Sequence, residues 1–164
     1  AVCYVTEKGL MNGTSASTFS PDAAMTRAMM VTILWRMEKE PAALKSNFTD
    51  LTADWYRTAV DWAAETGVVN GVGNGKFAPN ATLSLEQLIT ILYRYAENKG
   101  YNVSKSASLD SFTDGSAVSA YAKPAMQWAV GMNFLSGNTL TPGAPASRAQ
   151  IAQVLMLFCK AYIK

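Results

Sequence analysis

The sequence predicts a mostly α-helical fold made of three tandem helix–loop–helix units. Two observations carry that reading: one phrase recurs three times in fixed order, and the apolar residues flanking it fall at helical spacing. The phrase runs from Gly9 to Gly13, then Phe19-Ser-Pro21, then Thr26-Arg27. Its second copy runs from Gly67 to Gly71, then Phe77-Ala-Pro79, then Ser84-Leu85, and its third from Asn133 to Gly137, then Leu140-Thr-Pro142, then Ser147-Arg148. Pro and hydroxyl residue stand five apart in every copy, whereas Gly137 precedes Leu140 by three positions where the other copies have six, so the third loop is shorter.

The first copy opens with Ala1-Val2-x-Tyr4, which aligns with Ala59-Val60-x-Trp62 and Ala125-Met126-x-Trp128. Phe48-Thr-Asp50 and Phe112-Thr-Asp114 lie further upstream, with no counterpart before Ala1. The first copy therefore reads as truncated at its N-terminus and the chain as part of a longer polypeptide, with copies at 1–40, 48–99 and 112–164. In the middle copy Trp55, Ala59, Trp62, Ala63 and Thr66 define a helix over 54–66 with an aromatic stripe turned inward. Gly9, Gly67 and Asn133 follow the last turn of each first helix, where a left-handed residue is favoured.

Each second helix starts at a hydroxyl N-cap. Ser84 with Gln87 and Ser147 with Gln150 form capping boxes, while Met29 cannot return a hydrogen bond to Thr26 and leaves the first copy with half a box. Leu85, Leu88, Ile89, Leu92 and Ala96 make one apolar face, matched by Ile151, Ala152 and Leu155 and by Met30, Val31 and Leu34, so one shared core is expected. Polar segments over 38–47 and 98–110 read as linkers within one fold.

Composition excludes several function classes. A net charge of +2 with scattered Lys and Arg argues against a nucleic-acid binder, and no apolar run approaches the roughly 18 residues of a membrane span. Histidine is absent, which removes the commonest general base and metal ligand. No nucleophile–base pair or paired carboxylates stand out, so the chain reads as neither an enzyme nor a cofactor or metal binder. Cys3 and Cys159 sit in the first and last helical segments, open to a disulfide or to burial as small apolar residues.

Arg27 and Arg148 take the first helical position behind Thr26 and Ser147. Unpaired N–H groups at a helix start favour an anion, and a guanidinium adds a planar fork for a carboxylate or phosphate. Gly73, Asn74 and Gly75 would let a ligand approach the backbone beside Lys76. Together these eight residues form the candidate ligand-binding set. Trp35, Trp55, Trp62 and Trp128 are assigned to core packing by their spacing, although such rings also stack on sugars. Asp50, Asp54, Asp110 and Asp114 lack the ligand pattern of a calcium loop and are assigned capping roles.

In this order, Phe48-Thr-Asp50, Trp55, Gly67, Asn70-Gly71, Gly75-x-Phe77-x-Pro79, Met25-Thr-Arg-Ala28 and Ala146-Ser-Arg-Ala149 resemble the S-layer homology domain. The resemblance covers essentially the whole chain. It implies a pseudo-threefold, three-pronged spindle whose inter-repeat grooves hold secondary cell-wall polysaccharide, usually a glycan ending in pyruvylated N-acetylmannosamine. It assigns the ketal carboxylate to Arg27 and Arg148, and it implies an extracellular anchoring module within a larger surface polypeptide, without membrane insertion. Leu85 stands where the middle copy would carry the arginine, and Met29, Gln87 and Gln150 stand where the family has Glu. Those losses support an alternative, a degenerate repeat scaffold that contacts another protein at the cell surface.

Overall fold

The computed structural model describes residues 1–15 and 17–163. Six α-helices follow in order: α1 Val2–Glu7, α2 Arg27–Met37, α3 Asp54–Thr66, α4 Leu85–Asn98, α5 Lys123–Gly131 and α6 Arg148–Tyr162. A 3₁₀ turn, Gly115–Ala117, precedes α5, and there is no β-strand among the described residues. The helix pairs that pack are α2 with α3, α4 with α5, and α6 with α1. Each prong therefore joins the second helix of one repeat to the first helix of the next, and the last repeat closes onto the first. That is a three-pronged spindle.

Its axis is held by the backbone. Met25 N–H donates to Ala146 O (2.8 Å), Ala146 N–H to Leu83 O (2.9 Å) and Leu83 N–H to Met25 O (2.9 Å), a closed ring of three bonds with one residue from each repeat. All three residues are buried. Isolated bridges Ala24–Ser147, Thr26–Thr82 and Ser84–Pro145 flank this ring. Pairing that elsewhere would build a sheet is here bent around an axis, so the loops that carry the repeated phrase have their polar groups satisfied at the centre of the molecule.

The expected helix signals take physical form. Gly9, Gly67 and Asn133 adopt φ of 68°, 72° and 58°. Ser84 Oγ accepts from Gln87 N–H while Gln87 Oε1 accepts from Ser84 N–H, and Ser147 with Gln150 repeats the exchange. Thr26 accepts from Met29 N–H without reciprocation. At Gly13 and Gly71 the requirement is space: a Cβ on Gly71 would lie 2.5 Å from the Phe48 ring and 2.7 Å from Lys76 O, and one on Gly13 would lie 2.5 Å from Ser15 O.

Apolar faces of all six helices merge into one core. Its densest aromatic part lies beside α5, where Trp128 meets Tyr93, Phe134 and Phe158 edge-on at ring-centroid distances of 5.4, 5.3 and 6.3 Å. The two linkers are straps laid over the following helix. Leu44 N–H donates to Glu65 and Ser46 to Asp61, and in the second strap Ala107 N–H donates to Gln127 O while Tyr101 stacks on Tyr162.

Two expectations, for Trp55 and for the cysteines, need correction. Trp62 and Trp128 are buried, but Trp55, the second residue of α3, is 53% exposed and leaves the inward stripe, while Tyr56 beside it is buried. The capping role assigned to Asp50 and Asp114 is present and serves loops: Asp50 accepts from Phe77 and Ala78 N–H at 2.9 and 2.8 Å, and Asp114 from Leu140 and Thr141 N–H at 2.8 and 2.7 Å. Cys3 and Cys159 are both free thiols, one exposed and one buried, although α1 does pack on α6.

The loop-capping carboxylates predict an acid response. Partial desolvation raises the Asp50 pKa, but the two donated amides and the Lys76 charge outweigh it and hold the group below its usual value. At Asp114 the Leu140 and Thr141 amides lower it. A depressed folded-state pKa contributes stability that is fully present above the unfolded value, about 3.9, and is lost progressively as pH falls below that value and through the folded one. The melting temperature should hold from pH 7 to about 5 and drop below about 4, and Asp50→Asn should flatten the drop in a pH series of thermal melts.

Candidate functional site: two composite grooves between repeats

The first amides of each second helix are already in use. Arg27 and Ala28 N–H donate to Ala81 O and Pro79 O, Leu85 and Glu86 N–H to Ala144 O and Pro142 O, and Arg148 and Ala149 N–H to Ala23 O and Pro21 O. Every bond crosses from one repeat to the next. This corrects the expectation that these helix starts offer free backbone donors to an anion: with the third amide satisfied by the N-cap hydroxyl of Thr26 or Ser147, the donors that remain are on the side chains.

The two arginines serve the same seam. Arg27 Nε donates to Phe77 O at 2.9 Å and its Nη2 to Asn70 O at 2.8 Å, with the guanidinium carbon 4.7 Å from the Phe77 ring centre. Arg148 repeats this on the first repeat's loop, Nε to Phe19 O at 2.8 Å and Nη2 to Asn12 O at 2.6 Å, 4.5 Å above the Phe19 ring. Two N–H groups of each fork thus clamp the neighbouring loop and the other three remain. The Phe-x-Pro turn that supplies the carbonyl holds its middle residue left-handed in every copy: Ser20 at φ 53°, Ala78 at 56° and Thr141 at 49°. Sequence reasoning had no signal for this, since none of the three is Gly or Asn.

Both clamps border a groove. One, about 520 Å³, is lined by Arg148, by Met11, Asn12 and Gly13, by Met29, Thr32, Ile33 and Arg36 of α2, and by Trp55. The other, about 240 Å³, is lined by Arg27, by Val69, Asn70 and Gly71, by Gln87, Thr90, Ile91 and Arg94 of α4, and by Tyr121. Position for position these are equivalent residues, counted from the N-caps and from Ala59 and Ala125. Each groove draws on three successive repeats: an arginine from one, a loop and helix from the next, and an aromatic ring from the third. The missed residues are therefore Arg36, Arg94, Trp55 and Tyr121. Their repetition at equal offsets was a signal in the sequence.

Gly73, Asn74, Gly75 and Lys76 lie apart from both grooves, in an exposed hairpin closed by Val72 N–H to Lys76 O and Lys76 N–H to Gly73 O. Thr26 and Ser147 are occupied as caps. The equivalent positions of the third groove carry Leu85, Gln153 and Leu157 in place of arginine, threonine and arginine. Leu85 and Leu140 are both buried there.

The family model for the S-layer homology domain matches residues 1–29, 47–89 and 111–152, more than half of the chain. The chain belongs to the S-layer homology domain family. This S-layer homology segment is similar to an endoglucanase of a Bacillus species, 33% identical over 91% of this chain and 16% of that protein. It is also similar to the surface-layer 125 kDa protein of Lysinibacillus sphaericus, 30% identical over 94% of this chain and 13% of that protein. A cellulosome-anchoring protein of Acetivibrio thermocellus is 26% identical over 62% of this chain and 24% of its own length. The segment thus spans a quarter or less of these relatives, and what it shares with the endoglucanase is the S-layer homology region. It is a cell-surface anchoring module. Among the described residues no helix is long and apolar enough to cross a membrane.

Proposed function

We propose that this module anchors a larger surface polypeptide noncovalently by binding an acidic secondary cell-wall polysaccharide, without catalysis, through the two grooves that end at Arg148 and Arg27, with repeats at 1–40, 48–99 and 112–164. The observation that carries this reading is Arg148. It is 5% exposed, and two of its five N–H groups clamp the first repeat's loop, which leaves three for a ligand. A guanidinium held in place with N–H groups to spare presents a planar fork that suits a carboxylate or phosphate. An exposed ring in the same groove offers the flat apolar surface that a sugar face covers.

The third groove supports no such role. With Leu85, Gln153 and Leu157 it lacks both cations, and with Leu140 it lacks the aromatic floor of the clamp. Binding is assigned to two of the three grooves.

The test is calorimetric titration with secondary wall polysaccharide purified from the source organism, before and after removal of its pyruvyl ketals. Binding that weakens at least tenfold on ketal removal is expected. Retention of neither polymer, together with capture of a defined surface protein, would replace this reading with the protein scaffold.

A further inference from the structure

Ser119 lines neither groove, yet it governs one wall of the smaller one. Its N–H and Oγ donate to the Glu86 carboxylate at 2.9 and 2.7 Å, and its carbonyl accepts from Ala122 and Lys123 N–H at 3.0 and 3.1 Å. Those last two bonds close the turn that opens α5, and Tyr121, 54% exposed in the groove wall, sits inside that turn. Glu86 belongs to another repeat. It is the second residue of α4 and is buried, its own N–H donates to Pro142 O, and its carbonyl accepts from Thr90 Oγ1. A carboxylate fixed in this way holds its donors more strongly than a neutral acceptor does, and the Tyr121 hydroxyl lies 3.4 Å from it.

The Trp55 ring of the larger groove is held by different parts. There the hydroxyl of buried Tyr56 accepts from Thr52 and Ala53 N–H at 3.1 and 3.3 Å, and the Tyr56 ring meets Trp55 edge-on at 5.0 Å. Counted from Ala59 and Ala125, Ala53 corresponds to Ser119, Trp55 to Tyr121 and Tyr56 to Ala122. The Ala122 methyl can offer nothing to the Ser119 amide. Counted from the N-caps, Glu86 corresponds to Ala28 and Ala149. The prong of α2 and α3 thus pairs Ala28 with Tyr56, and the prong of α4 and α5 pairs Glu86 with Ala122. The large polar group has changed helices, and in both prongs it satisfies the backbone amide two residues before the groove's ring.

We propose that Glu86 is a positioning residue for the Arg27 groove: by holding Ser119 from the neighbouring repeat it fixes the turn over 119–122 and presents the Tyr121 ring to a sugar bound beside Arg27 and Arg94. The assignment rests on the binding function proposed above. Glu86 is not among the residues that line the groove, so it acts through the ring and not on the ligand. A ring on a loose surface turn loses freedom when a ligand covers it, and a turn already fixed has less to lose, which leaves more of the contact energy as affinity. Position 86 is therefore a place where this groove is tuned without altering any residue that meets the sugar.

The experiment compares the intact chain with Glu86→Ala, Glu86→Gln, Tyr121→Ala and the double variant that combines Glu86→Ala with Tyr121→Ala. Alanine is what α2 and α6 carry at this position, so the helix start accepts it. Hydrogen exchange read by nuclear magnetic resonance follows the Ser119 amide, and calorimetry follows binding of the purified secondary wall polysaccharide. In Glu86→Ala, Ser119 exchange is expected to rise at least tenfold and polysaccharide binding to weaken about fivefold. Glu86→Gln, whose amide oxygen still accepts from Ser119, should bind within about twofold of the wild type. Tyr121→Ala should weaken binding about tenfold, and adding Glu86→Ala to it should cost less than about twofold more, because the two residues act as one unit. A fivefold loss repeated in the Tyr121→Ala background marks a merely structural role. That result, or unchanged exchange at Ser119, overturns the assignment while leaving the anchoring function intact. A wild-type chain that binds no polysaccharide overturns both.

Discussion

Replacing Arg148 with Ala is expected to lower the melting temperature by about 6–12 °C, from a loss of roughly 3 kcal/mol at about 2–4 °C per kcal/mol for a chain of this size. The loss has identifiable parts. Phe19 O and Asn12 O lose charge-assisted donors, and the Phe19 ring loses a cation that covers its face. Because the clamp joins the last repeat to the first, its removal loosens the seam that closes the spindle. Arg148→Lys should recover little, since an ammonium keeps the charge but cannot span two carbonyls as a planar fork does. Circular dichroism melts of the three proteins decide the matter. If Arg148→Ala melts with the wild type, the guanidinium serves the ligand alone, and the clamp contributes nothing to the fold.

That double use changes how wall binding by arginine variants is read. An arginine at the first helical position was recognisable as a ligand candidate from the sequence, but its structural duty was not, because the carbonyls it holds come from residues 43 to 136 positions away. Local chemistry was legible: the caps at Ser84 and Ser147 and the left-handed residues at Gly9, Gly67 and Asn133 follow from side-chain type and near neighbours. What depended on the partner across a repeat boundary was hidden. Trp55 and Trp62 share one helical pattern, yet the first faces a groove and the second the core, and only the neighbouring α2 decides between them. Likewise Ser20, Ala78 and Thr141 are held left-handed by bonds around them, Asp50 and Asp114 supplying those of the last two, and no propensity of their own announces it.

Trp128→Ala tests whether the spindle unfolds as one body. Trp128 is 1% exposed, packs edge-on against three rings and donates its indole N–H to Tyr162 Oη at 3.3 Å. Truncating such a residue costs about 4 kcal/mol, for lost burial and for the cavity that remains. The expected fall in melting temperature is about 8–16 °C. In an open array of repeats, where each unit touches only its neighbours, damage of that size in one unit separates its unfolding from the rest. Here the Met25–Leu83–Ala146 ring ties all three repeats at one axis and every prong is shared between two of them, so no repeat can leave alone. The variant should therefore melt in a single transition, with far-ultraviolet dichroism and tryptophan emission coinciding. Two separated transitions would mean that the prong containing α4 and α5 unfolds by itself, and that the axial ring does not couple the repeats.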